Sequence, residues 1–354
     1  MTHEEFRNTK FFASLSGLRA LAVILVIIVH FGDKTGPGLT GWLGVQIFFV
    51  LSGFLITTLL LRENDSEEGV SLGNFYIRRV FRIAPIYYLA LACTVWQSYR
   101  FGGEVWEKFQ SALPYYLFLL NEQTFINLTG PVPWQLSWTM GIEWKFYLVW
   151  PVLLFVLARN SLGRFAIVAV LVVILNRLWY VQWLTPYHYT VLIEGSLLAM
   201  VMHDRRGFGI VRWIMNPVTA FVVFVSFAVF QTQVFRLVPL MSNAGLGNLY
   251  GLAVVCLIPA ILGPGLPQRI LSSTPFVFLG ERSYSLYLFQ MVIAQACTKL
   301  TGWRTPGWIY IAMIVVLGAV VTDLLHRYLE KPMIALGRRV ISALSQRKLM
   351  DVKG

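Results

Sequence analysis

The chain has 354 residues, of which 57% are hydrophobic and only 13% charged, with a mean hydropathy of +0.65. Soluble domains carry about 25% charged residues, so a soluble globular protein is excluded and a polytopic membrane protein is expected. The formal net charge of +12 would suit a nucleic-acid binder, but the basic residues sit in loops between apolar segments, and no nucleic-acid partner is expected.

Cys93, Cys256 and Cys297 fall in apolar runs without metal or redox spacing, so buried structural thiols and no metal site are expected. The polar N-terminus lacks a cleavable signal pattern, so the first apolar segment is expected to stay as a membrane helix. Hydropathy predicts an all-α, polytopic integral membrane helix bundle of about ten spans: 14–31, 42–61, 84–101, 138–158, 164–184, 188–203, 212–231, 247–263, 283–300 and 306–326. Residues 112–120 are apolar but too short to cross, and read as re-entrant or interfacial. With the N-terminus cytoplasmic, 20 Lys and Arg fall on the cytoplasmic side and six outside. That bias predicts both termini inside. No internal repeat of the transporter kind is present, and residues 1–354 read as one domain with a core over 12–332 and a basic cytoplasmic tail over 333–354.

The first span carries Arg19 and His30. Ionisable groups in a bilayer are costly, so an intramembrane pair points to function. Eleven residues make about three helical turns, which places both side chains near one face, roughly 16 Å apart along the axis. Snorkelling of Arg19 to lipid headgroups, with His30 marking the far interface, is the alternative. The second span reads GVQIFFVLSGF over 44–54, with small residues suited to close helix packing. Next comes a loop with Arg78, Arg79 and Arg82 before Pro85. Its guanidinium groups suit phosphate oxygens, though juxtamembrane arginines also set topology and touch anionic lipid. The fourth span opens WTMGIEWKFY from Trp138. Glu143 is expected near its outer end, level with His30, where a carboxylate could orient the imidazole as a general base; a structural ion pair is the alternative. Glu194 lies mid-span and calls for a partner. His188, His203 and His326 are expected at span ends as satisfied interfacial groups. Tyr284 and Tyr287, i and i+3, share a face, as anchors or substrate contacts. Asp323 is placed to pair with Arg327.

Together these stretches resemble the membrane-bound acyltransferase-3 family, whose members O-acylate cell-envelope glycans and other hydroxylated products. Arg19 followed by His30 is similar to the family's arginine–histidine signature. Residues 44–54 resemble its GxxxFFxLSGF segment, Arg79, Arg82 and Pro85 its basic loop, and Trp138 to Tyr147 its WSLxxExxFY segment, with Glu143 at the acidic position. Residues 279–288 and 328–332 resemble its late motifs. Two departures stand out. Gln290 occupies the place of a late histidine, so any acid–base role of that histidine is absent. Thr139-Met140-Gly141 replaces Ser-Leu-Ser. No esterase-like domain, carried by some members, is seen in the 354 residues.

The resemblance implies an acyl-CoA donor, most often acetyl-CoA, as a substrate and no permanently bound cofactor. Its acceptor would be a glycan, lipid-linked sugar or other hydroxylated molecule, at the bacterial inner membrane. On that reading Arg78, Arg79 and Arg82 hold the donor phosphates and Arg19 engages the donor inside the bundle. His30 takes the hydroxyl proton with Glu143 behind it, and Trp138, Tyr147, Tyr284 and Tyr287 contact substrate. Two other classes fit the bare residues: a transporter with an intramembrane Arg/His/Glu relay, and a non-catalytic lipid or nucleotide sensor.

Overall fold

A computed structural model describes residues 1–32, 36–119, 134–157, 160–178, 187–302 and 307–351. Among them every regular element is helical. The elements in order are α1 (His3–Asn8), α2 (Ala13–Phe31), α3 (Gly44–Asn64), α4 (Leu72–Phe101), α5 (Gly103–Leu117) and α6 (Trp138–Val152). They continue with α7 (Ser161–Leu178), α8 (Tyr187–His203), α9 (Arg205–Val211), α10 (Pro217–Gln233) and α11 (Asn243–Leu262). The chain ends with α12 (Leu266–Leu271), α13 (Thr274–Glu281), α14 (Ser283–Thr301), α15 (Trp308–Leu325) and α16 (Lys331–Asp351).

Among the described residues seven helical stretches are long and apolar enough to cross a membrane: Ala13–Phe31, Gly38–Asn64, Leu72–Phe101, Trp138–Val156, Pro217–Leu237, Asn243–Leu262 and Trp308–Gln346. The protein is thus an all-α integral membrane bundle. The other three expected spans are also helices. At 17 residues, α8 rises about 25 Å, short of a hydrocarbon core of about 30 Å. In α14, Gln290, Gln295 and Lys299 lower the hydropathy. The span expected over 164–184 is α7 as far as Leu178, and its remaining residues lie outside the described ones.

The centre of the bundle is α3, flanked by α2 and α8. Its burial is deep because its neighbours come close. A Cβ at Gly53 would fall 1.9 Å from the Leu192 carbonyl oxygen, and one at Gly195 would fall 2.0 Å from that of Val50. Small residues at a helix crossing let two backbones touch, the packing device of membrane helices. Ser196 fastens the crossing by donating to the Leu192 carbonyl (3.0 Å) and lying 3.2 Å from that of Gly53. By contrast α10 is mostly exposed along its apolar length, as befits a lipid-facing helix.

Two expectations about local structure are corrected, the loop before Pro85 and the burial of the cysteines. The basic segment before Pro85 is not a loop: α4 starts at Leu72, where the Ser71 hydroxyl caps the Asn74 N–H. Residues 112–117 end α5, whose 15 residues rise only about 22 Å. Gly102 and Gly103, at φ +64° and +54°, turn the chain back there in a conformation that favours glycine. The Tyr87 and Tyr88 hydroxyls then donate to the Tyr116 and Leu117 carbonyls at 2.9 Å each. Leu120 lies outside the described residues. Residues 333–351, the basic tail of the sequence, belong to α16, which packs Gly337 beneath Phe81 of α4. Of the cysteines only Cys297 is buried, and Cys256 is exposed.

Candidate active site

Two cavities lie end to end beside α2 and α3. The first is lined by Arg19 of α2, Ser52 of α3, Arg79 and Arg82 of α4, and Glu143 and Tyr147 of α6. Tyr284 of α14 lines it as well, and its hydroxyl donates to the Ile83 carbonyl at 3.0 Å. With a volume of about 100 Å³, this basic cavity is narrow. Arg79 and Arg82 reach it together because residues i and i+3 share a helix face. The Arg79 guanidinium lies over the Phe75 and Tyr147 rings, 5.5 and 5.8 Å from their centroids.

One carboxylate sits among these cations. Glu143 accepts from the Ser52 hydroxyl at 2.8 Å and from the Tyr147 hydroxyl at 2.9 Å, one bond to each oxygen. The other carboxylate of the lining, Glu281, is 3.6 Å from Arg282. Neither Arg19 nor Arg82 makes a hydrogen bond or ion pair among the described residues, so the cavity carries surplus positive charge. Such a site favours an anion, and guanidinium groups match phosphate oxygens.

The second cavity is lined by His30 of α2, Trp42, Gln46 of α3, Trp138 of α6, and Tyr187 and His188 of α8. At about 420 Å³ it is the roomier of the two. Its lining holds aromatic rings and neutral polar groups rather than arginines. The His30 Nδ1 lies 2.7 Å from the Val26 carbonyl, one turn earlier. A carbonyl only accepts, so Nδ1 carries the hydrogen and the neutral ring has its lone pair on Nε2.

Val45 and Tyr287 line both cavities and form the wall between them. The Tyr287 hydroxyl donates to the Leu136 carbonyl at 2.7 Å and accepts from Thr139 at 3.2 Å. These bonds fix the ring in the shared wall.

This geometry redistributes the residues singled out in the sequence. Arg19, Arg79, Arg82, Glu143, Tyr147 and Tyr284 converge on the basic cavity, His30 and Trp138 on the aromatic one, and Tyr287 on both. Arg78 does not line the basic cavity; it is paired with Glu63 at 2.7 Å. The expected Glu143–His30 pair is not formed. Glu143 is level with Ser52 and Arg19, and Arg19 is about 16 Å along α2 from His30. The His30 Nδ1 meets the Val26 carbonyl instead. His188 is not a satisfied interfacial group: it is 5% exposed, with Nδ1 lacking a partner. His203 bonds to Asp65, His326 to Glu330, and Arg327 to Asp323. Glu194 keeps an unpartnered Oε2 beside Gly251. Gln290 is fully buried and donates to the Tyr287 carbonyl at 2.9 Å. Gln46, Trp42 and Tyr187 were missed, although a glutamine in an apolar span is itself a signal.

The fold is a helical membrane bundle in which an anion-suited cavity adjoins a histidine-lined one. The chain belongs to the acyltransferase-3 family: the family model described as an acyltransferase domain matches residues 12–327. It is 28% identical to "Peptidoglycan O-acetyltransferase OatA" of Listeria monocytogenes serovar 1/2a over 92% of this chain and 56% of that protein. It is 27% identical to "Putative peptidoglycan O-acetyltransferase YrhL" of Bacillus subtilis (strain 168) over 96% and 57% of the two chains. With "Putative O-acetyltransferase SACOL0978" of Staphylococcus aureus (strain COL) the identity is 26% over 93% and 58%. The chain thus spans somewhat over half the length of these curated relatives. No solved structure matches it. The transporter reading finds no support in these likenesses.

Proposed function

We propose that this protein is a membrane O-acetyltransferase that moves an acetyl group from acetyl-CoA to a hydroxyl of a cell-envelope glycan. The carrying observation is the cluster of Arg19, Arg79 and Arg82 around one carboxylate, in a narrow cavity that shares a wall with the cavity of His30. In this reading the CoA phosphates bind at Arg79 and Arg82, the thin pantetheine arm passes Arg19, and the thioester reaches His30 by way of Tyr287. The positive-inside bias supports a cytoplasmic donor end and an acceptor entering from the outer side of a bacterial inner membrane.

His30 acts as general base. Its Nε2 takes the acceptor O–H proton while that oxygen attacks the thioester carbonyl; the C–S bond breaks, and the imidazolium returns the proton to the departing CoA thiolate. Glu143 takes no part in orienting the ring. It offsets part of the positive charge that Arg19 and Arg79 bring into the bundle.

The test is to incubate the purified protein in nanodiscs with acetyl-labelled acetyl-CoA and a soluble peptidoglycan fragment. Stoichiometric free thiol and acetylated sugar are expected. Absence of both above the protein-free blank would sink the reading.

A further inference from the structure

The aromatic cavity has a feature that His30 chemistry does not use. Gln46 is fully buried, and neither its Oε1 nor its Nε2 has a hydrogen-bond partner. The Nδ1 of His188 is likewise buried and unpartnered. Leaving a buried polar group without a partner is costly, and the two side chains that carry these three atoms both line one cavity, where a ligand can satisfy them. The rest of the wall narrows its class. The Trp138 ring centroid lies 4.5 Å from that of His188, and Tyr187 flanks the same imidazole. Trp42 adds a further apolar ring. A ligand that meets flat aromatic surface and fixed amide hydrogen bonds at once has apolar C–H faces and a polar rim, which describes a pyranose ring.

We infer that this cavity is the acceptor-sugar subsite and that Gln46 is its specificity-determining residue. Its Nε2 donates to one ring oxygen substituent and its Oε1 accepts from the adjacent O–H or N–H. The inference rests on the proposed acetyl transfer only in calling the sugar an acceptor. Gly247 of α11 makes room for this arrangement: a Cβ there would lie 3.1 Å from the Tyr187 ring and 3.5 Å from the Gln46 Nε2.

Sugar binding can be read without any donor. Saturation-transfer difference NMR would be run on the nanodisc protein with two probes, the N-acetylglucosamine–N-acetylmuramic acid disaccharide and cellobiose. Wild type should give ring-proton signals with at least one of them. Gln46→Leu should weaken that binding roughly ten-fold or more, with thermal stability unchanged or raised, because leucine removes two unsatisfied buried atoms. In transfer assays its acceptor KM should rise by the same factor while its acetyl-CoA KM stays within about two-fold. Gly247→Ala, which presses on the Tyr187 ring, should weaken the same sugar several-fold and covers the case in which Gln46→Leu fails to fold. Silence of wild type toward both probes, or equal binding by wild type and Gln46→Leu, overturns the inference. Gln46-dependent binding without acetyl transfer leaves the subsite standing and removes the enzymatic reading instead.

Discussion

The two cavities share a wall but are built from opposite materials. The basic one is narrow and holds Arg19, Arg79 and Arg82; the aromatic one is about four times larger and lined by rings, two histidines and the amides of Gln46 and Asn243. Guanidinium groups have strength for phosphate but little shape, whereas rings and amides have shape but no net charge. One helix, α2, lines both of these unlike cavities, with Arg19 toward one end and His30 toward the other. In the proposed reaction an anion is held at the first and a neutral hydroxyl compound is read at the second.

Variants can break or sharpen this division. The largest effect is expected from His30→Ala. Loss of a general base costs about 10²–10⁴-fold in rate, so transfer measured by thiol release should fall that far with the protein still monodisperse. Near-wild-type turnover would remove His30 from the chemistry. Next comes Arg19→Lys. Lysine keeps the charge but lacks the planar fork, and kcat/KM for acetyl-CoA should drop roughly ten-fold or more; a normal value would make Arg19 a lipid-facing or structural cation.

Glu143→Gln separates the two cavities most clearly. Glutamine keeps one oxygen to accept from Ser52 or Tyr147, but its amide nitrogen cannot accept from the other hydroxyl, and the counter-charge among the arginines is lost. Thermal stability should fall, while the pH profile of transfer should keep its shape, because Glu143 and His30 line different cavities. A shifted profile would restore the Glu143–His30 pair. Arg78→Gln should have the smallest effect on chemistry: it removes the pairing with Glu63, a partly exposed ion pair of the kind worth about 0–1 kcal/mol, and leaves the acetyl-CoA KM within about two-fold.

The sequence already carried the helical bundle and the placing of Arg19 and His30 on one helix, because helical rise fixes their spacing whatever packs around them. It could not carry depth. Glu143 lies early in α6, which suggested a position near the outer edge. How far that helix sits within the bundle depends on contacts with Ser52 and Arg79, which come from α3 and α4. Arg78 and Arg79 are neighbours in sequence and indistinguishable by type. Only the rotation of α4 sends one to Glu63 and the other to the cavity. Gln46 is an intramembrane amide, but Gly44, Ser52 and Gly53 around it let close helix packing account for the whole motif.

The central claim is that donor binding belongs to the arginine cavity and is independent of His30. Calorimetric titration of nanodisc protein with coenzyme A tests it directly, since no reaction can occur without an acyl group. The account predicts that His30→Ala binds coenzyme A as wild type does. It also predicts that changing Arg79 and Arg82 together to Gln weakens binding roughly ten-fold or more, with the wild-type affinity falling as salt is raised. Coenzyme A affinity lost in His30→Ala and retained in the double arginine variant would contradict it.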